Sequence, residues 1–150
     1  MGQSLAKNIV HLVFSTKNRH PWLDPAIRDE VHAYIAGICN ELESPCQAIQ
    51  SVADHAHLLF TLSKNVALAQ AVSQIKSGST KWLRNKPPRF EPFAWQGGYG
   101  AFSVSESNVD AVCHYIAGQE EHHRKVSFQD ELRAFLERHR VAFDERYIWD

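Results

Sequence analysis

A chain of 150 residues with 44% apolar and 22% charged side chains can bury roughly two thirds of its unfolded surface around one core, so a single domain over residues 1–150 is expected. Cys39, Cys46 and Cys113 are odd in number and form no Cys-x-x-Cys pair, which fits reduced thiols in a cytoplasm better than a disulfide framework, and no apolar run approaches the roughly 18 residues of a membrane helix. The formal net charge of -1 does not advertise a nucleic-acid partner, yet the stretch from His55 to Phe90 contains no Asp or Glu, and a block of one sign makes a local field that attracts phosphate.

In chain order, the β-branched and aromatic run "NIVHLVFST" reads as a first strand. "DPAIRDEVHAYIAGICNELE" opens with Asp24 as a cap and Pro25 at the first helical position, and repeats Ile27, Val31, Tyr34, Ile35, Ile38 and Leu42 at helical spacing. "CQAIQSVA" and "HAHLLFTL" are two strands turned around Asp54. A second helix spans "NVALAQAVSQIKSGSTKWLRN", with Leu68, Val72, Ile75, Ser79, Trp82 and Leu83 on one side and Ser73, Ser77, Thr80, Lys81 and Arg84 on the other, Lys76 lying at the flank. "PPRFEPFAWQGGYGAFSVS" supplies a proline-broken loop, a glycine turn and a fourth strand. Two helices close the chain, "SNVDAVCHYIAGQEEHH" and "SFQDELRAFLERH", the second with a capping pattern at Ser127 and Asp130.

This β-α-β-β-α-β series predicts an α+β, ferredoxin-like fold: a four-stranded antiparallel sheet with two helices on one face, plus the two C-terminal helices. The first and third strands are central, and the other sheet face must be covered or used. That face carries Ile9, His11, Val13, His55, His57 and Leu59, because side chains alternate along a strand. With nine histidines in the chain, a His-x-His pair is weak by itself, and its position is what matters. Two neutral imidazoles on one face reach a single cation. A third ligand must come from elsewhere, and His11 is one candidate. In the helix over 107–123 the apolar stripe is Val109, Val112, Cys113, Ile116 and Ala117, whereas Tyr115, Gln119 and His122 form a stripe of their own about 100° away.

"HAH", "YIAGQEEHH" and the element order between them resemble the small single-tyrosine HUH transposases of insertion sequences. The likeness runs from "HLVFSTKNR" through "QIKSGSTKWL" and "WQGGYGAFSVS" to the tyrosine helix. His55, Ala56 and His57 match the His-hydrophobic-His motif, and Tyr115 with Gln119 matches the Tyr-x-x-x-Gln helix. The resemblance implies that the Tyr115 hydroxyl attacks a phosphate of single-stranded DNA, leaving a 5′-phosphotyrosine and a free 3′-hydroxyl that keep the bond energy for rejoining. It implies His55, His57 and Gln119 as ligands of a divalent ion, Mg2+ or Mn2+. It also implies DNA hairpins as partners, and a homodimer in which Tyr115 and Gln119 serve His55 and His57 of the same chain or of the other. Asp54 and His123 receive no role.

Lys76, Lys81 and Arg84, with Lys17 and Arg19 after the first strand, are the candidate DNA-binding cations. Trp95 and Tyr99 are candidates for stacking on bases, whereas Trp82 suits core packing better. Competing readings are a metal-dependent phosphodiesterase in which water attacks, a non-catalytic RNA-binding domain, and an inactive relative that binds hairpins. The RNA-binding plan stacks bases on aromatics of the central strands, where this sequence has histidines.

Overall fold

A computed structural model describes residues 2–86 and 88–150; Pro87, first residue of the expected proline-broken loop, lies outside them. Strands β1 (Asn8–Ser15), β2 (Cys46–Ser51), β3 (His55–Leu62) and β4 (Gly100–Val104) form one antiparallel sheet in the order β2-β3-β1-β4. Helices α1 (Pro25–Glu41) and α2 (Leu68–Arg84) follow β1 and β3. The arrangement is the expected ferredoxin-like α+β plan with β1 and β3 at the centre.

Alternation divides the central strands between two cores. Val10, Leu12, Phe14, Ala56, Leu58 and Phe60 point to α1 and α2, where they meet Ile27, Val31, Ile35, Val72, Ile75 and Leu83. Asp24 accepts from the Ala26 amide at the start of α1, with Pro25 following, so the helix begins where its orphan amides find a partner. Cys39 takes an interior place along the buried stripe, while Ile38 is half-buried and Tyr34 is exposed against Trp82, the two rings stacked 5.2 Å apart.

The second sheet face is covered by the C-terminal helices. Ile9 and Leu59 lie under Ile116 of α3 (Val109–Ala117), and Val13 and Phe102 under Phe128, Leu132 and Leu136 of α5 (Phe128–Arg138). The helix expected over 107–123 is broken at Gly118, and Gln119–His122 form the separate short helix α4. Ser127 caps α5 by accepting from the Asp130 amide. Gly100 of β4 pairs with Val13 and lets α5 settle close: a Cβ there would lie 2.9 Å from Leu132 Cδ1 and 3.1 Å from both Phe102 and Val13 side chains. Gly100→Val is therefore expected to overpack this seam and cost about 1–3 kcal/mol, read by urea denaturation.

Candidate active site

The register of β1 against β3 sets Val13 opposite His57 and His11 opposite Leu59, so the histidines stand in the middle of the face under α3 to α5. Four ligand atoms converge there. His57 Nε2 lies 2.8 Å, His123 Nε2 3.1 Å and His55 Nε2 3.5 Å from Glu131 Oε1, and the Nε2 atoms of His55 and His123 are 2.9 Å apart. All four atoms fall within 4.8 Å of one another. His123 follows α4, and Glu131 comes from the first turn of α5.

The outer hydrogen bonds dictate which nitrogen faces inward. His55 Nδ1 donates to Asp54 Oδ1 at 2.7 Å, and His123 Nδ1 donates to the Val126 carbonyl at 2.6 Å. Each partner only accepts, so each Nδ1 carries the hydrogen and each neutral ring presents a bare Nε2 to the cluster. Two bare nitrogens 2.9 Å apart repel unless a proton or a cation sits between them. His57 Nδ1 faces His11 Nε2 at 2.8 Å, which lets the same tautomer form there. His11 is thus an outer partner, not the third ligand it was a candidate to be, because its place opposite Leu59 reaches the His57 ring but not the convergence point.

Burial is the largest influence on His57 and pushes it down to about 4, and His11, buried beside it, is pushed down to about 3. Burial works against ionised Glu131, but His123, His55 and His57, each of which donates to it whenever its Nε2 carries a proton in place of a metal ion, outweigh burial and hold the carboxyl well below its usual range. Burial likewise opposes His55, yet Asp54 and Glu131 together leave it raised. The centre is an ionised carboxylate among imidazoles, a donor set with the charge and geometry for a divalent ion.

Tyr115 reaches the same carboxylate from the other side. Its hydroxyl donates to Glu131 Oε2, and His122 Nε2 lies 3.3 Å from it. Burial, followed by the bond and charge of Glu131, raises the phenol above its ordinary value. Gln119 makes no hydrogen bond to His55, His57, His123 or Glu131. Its Nε2 donates to the Tyr115 carbonyl at 3.3 Å, while its Oε1 is buried without a partner.

The family model for IS200-like transposases matches residues 4–119. The chain belongs to that family. No curated protein matches it. Among solved structures, a protein of Deinococcus radiodurans described as a transposase is 23% identical, with a TM-score of 0.62 over 79% of this chain and 96% of its own. A REP-associated tyrosine transposase bound to a REP hairpin is 16% identical, with the same TM-score of 0.62 over 84% of this chain and 74% of its own. At these identities the likeness supports the fold.

In this IS200-like transposase the five expected DNA-binding cations separate. Lys76, Lys81 and Arg84 line a groove of about 740 Å³ along α2 together with Tyr99. The Lys76 ammonium is already committed to the carbonyls of Gln96 and Gly98, and burial lowers it to about 8. Lys81 and Arg84 are exposed. Arg19 instead lines a cleft with Arg28, Arg124 and His123 at the edge of the histidine–carboxylate cluster, and Lys17 is exposed two residues before it. Trp95 is buried and its Nε1 donates to Ser79 Oγ at 2.9 Å, so it packs in the core, whereas Tyr99 is exposed on the groove.

Glu131 and His123 are the cluster members that sequence reasoning missed. A signal for Glu131 exists: Phe128, Leu132, Phe135 and Leu136 form the apolar stripe of α5, and Glu131 falls inside that stripe at i+3. A carboxylate on a buried face needs a partner, and three imidazoles supply it.

Proposed function

We propose that the chain cleaves and rejoins single-stranded DNA at insertion-sequence ends through a covalent 5′-phosphotyrosine on Tyr115, with His55, His57, His123 and Glu131 holding a divalent ion. The observation that carries this is Glu131, whose one oxygen meets three imidazole nitrogens while the other holds the Tyr115 hydroxyl. A bound cation would polarise the phosphate and neutralise charge as attack proceeds. Three imidazoles and one carboxylate suit Mn2+ better than Mg2+, which prefers oxygen ligands and retains its waters. The buried Gln119 amide oxygen is the acceptor left over for the same ion.

Within the chain, Glu131 and the β3 histidines fix where Tyr115 Oη stands. The phenol loses its proton to the groups it touches, Glu131 Oε2 or His122 Nε2. Its oxygen bonds to phosphorus, the bond to the 3′ oxygen breaks, and that oxygen leaves as the 3′-hydroxyl after taking a proton. Lys81 and Arg84 would hold hairpin phosphates along α2. One tyrosine makes one cut, so a homodimer supplies the second, while each site is complete within its own chain.

The test is a gel-shifted protein–DNA adduct on labelled single strands that carry a hairpin and a randomised flank. Wild type with Mn2+ is expected to form it, and Tyr115→Phe to form none. An equal mixture of Tyr115→Phe and His57→Ala should also form none, because neither chain then has a whole site. Free cleaved product without adduct would favour hydrolysis by water. Lys81→Ala should retain adduct chemistry and weaken hairpin binding, measured by fluorescence anisotropy. The slope of log K against log salt should fall by about 0.7–0.9 for each phosphate that the variant no longer neutralises.

A further inference from the structure

We propose that the cleft between α3 and α5 beside Tyr115 is a nucleotide subsite, which takes the base adjoining the attacked phosphate while Arg138 holds that phosphate. This assignment rests on Tyr115 being the nucleophile. The cleft measures about 320 Å³, at the small end of the roughly 300–1,000 Å³ usual for ligand sites. A second hollow of about 260 Å³, lined by Glu131 and His122, lies on the other side of Tyr115. Tyr115, Phe135 and Arg138 line both, so the nucleophile and one guanidinium stand on the divide between them.

The lining chemistry matches a nucleotide on two counts. Phe102 stacks on Phe135 at 5.3 Å and on His139 at 4.7 Å, giving one wall of aromatic rings, with Phe135 edge-on to Tyr115 at 5.8 Å. Bases of single strands stack on such side chains with little regard to sequence. Ser103 and Asn108 add hydrogen-bonding groups to the lining. Arg138 is exposed and makes no ion pair among the described residues, resting instead over the Phe135 ring at 5.6 Å. Arg133 in the same helix, by contrast, is taken up by Asp130 and Glu145. An unpaired guanidinium fork beside a nucleophilic tyrosine fits a phosphodiester. The α2 groove lies elsewhere, on residues of α2 and of the segment around Trp95.

The experiment titrates the full-length chain with the four deoxynucleoside 3′,5′-bisphosphates and with the base-free deoxyribose 3′,5′-bisphosphate, followed by ¹H–¹⁵N NMR. The nucleotides are expected to shift the amides of Phe102, Ser103, Val112 and His139. The base-free sugar should move the Arg138 region alone. Arg138→Gln should raise Kd at least tenfold for every probe. Ala111→Trp, an exposed cleft-lining position whose replacement leaves the core intact, should remove the base-dependent shifts and spare the Arg138 response. Shifts confined to the neighbours of Lys81 and Arg84, or identical with and without the base, would overturn the subsite. Nucleotide binding requires no cleavage, so its failure leaves the Tyr115 adduct assay to judge the transposase chemistry independently.

Discussion

Glu131→Gln is expected to weaken binding of Mn2+ at least a hundredfold and to reduce adduct formation below detection, while the chain stays folded. The substitution keeps the shape but turns one accepting oxygen into a donating amide and removes the one charge in a cluster otherwise made of three imidazoles. Outer partners of metal ligands typically contribute 10–100-fold in affinity, and a direct anionic ligand contributes more. The second effect is on the nucleophile, since the same side chain holds the Tyr115 hydroxyl. Isothermal titration with Mn2+ reads the first effect and the adduct gel the second. Gln119→Ala should lower affinity by a smaller factor than Glu131→Gln, because a neutral amide oxygen attracts a cation less than the carboxylate does. Unchanged Mn2+ affinity in Glu131→Gln would remove Glu131 from the ligand set.

Mn2+ is expected to stabilise the protein strongly, and EDTA to reverse the effect. At a free concentration of one hundred times Kd, binding to the folded state alone contributes about 2.7 kcal/mol, which for a chain of this size raises Tm by roughly 5–10 °C. The gain comes from the site itself. Without an ion, three inward Nε2 atoms share one carboxylate oxygen, with two of them 2.9 Å apart. His57→Ala should abolish the shift, as seen by differential scanning calorimetry with and without EDTA. Affinity should rise with pH. His55 holds its proton above its ordinary value because Asp54 and Glu131 outweigh burial, and the ion must displace that proton. His57, pushed down to about 4 by burial, is already neutral at pH 7 and adds no such dependence there.

The ferredoxin-like order was legible because it rests on local signals. Alternation in β1 and β3, Pro25 and Asp24 at the head of α1, and the stripe of α2 each act over a few residues. The opposing histidine face of β3 was legible for the same reason. The break at Gly118 was not read, although it has a local signal: a glycine weakens the helix there, and the positions in phase after Ala117 are Glu120 and Glu121, so the apolar stripe stops where α3 does. Trp95 read as a possible stacking residue, and its indole N–H proved to be satisfied by Ser79, a partner 16 positions away.

Amino-acid order alone determined the sheet, which side chains share each of its faces, and the pairing of His55 and His57 on one side of β3, because each follows from a backbone period and from apolar burial. Tertiary structure decided what completes the centre. Glu131 is 74 positions from His57 and His123 is 68 from His55, and they meet only where α5 settles on the Gly100 seam. A strand period says which way an imidazole points. Which carboxylate lies opposite depends on how two apolar surfaces pack, and that is a property of the whole core.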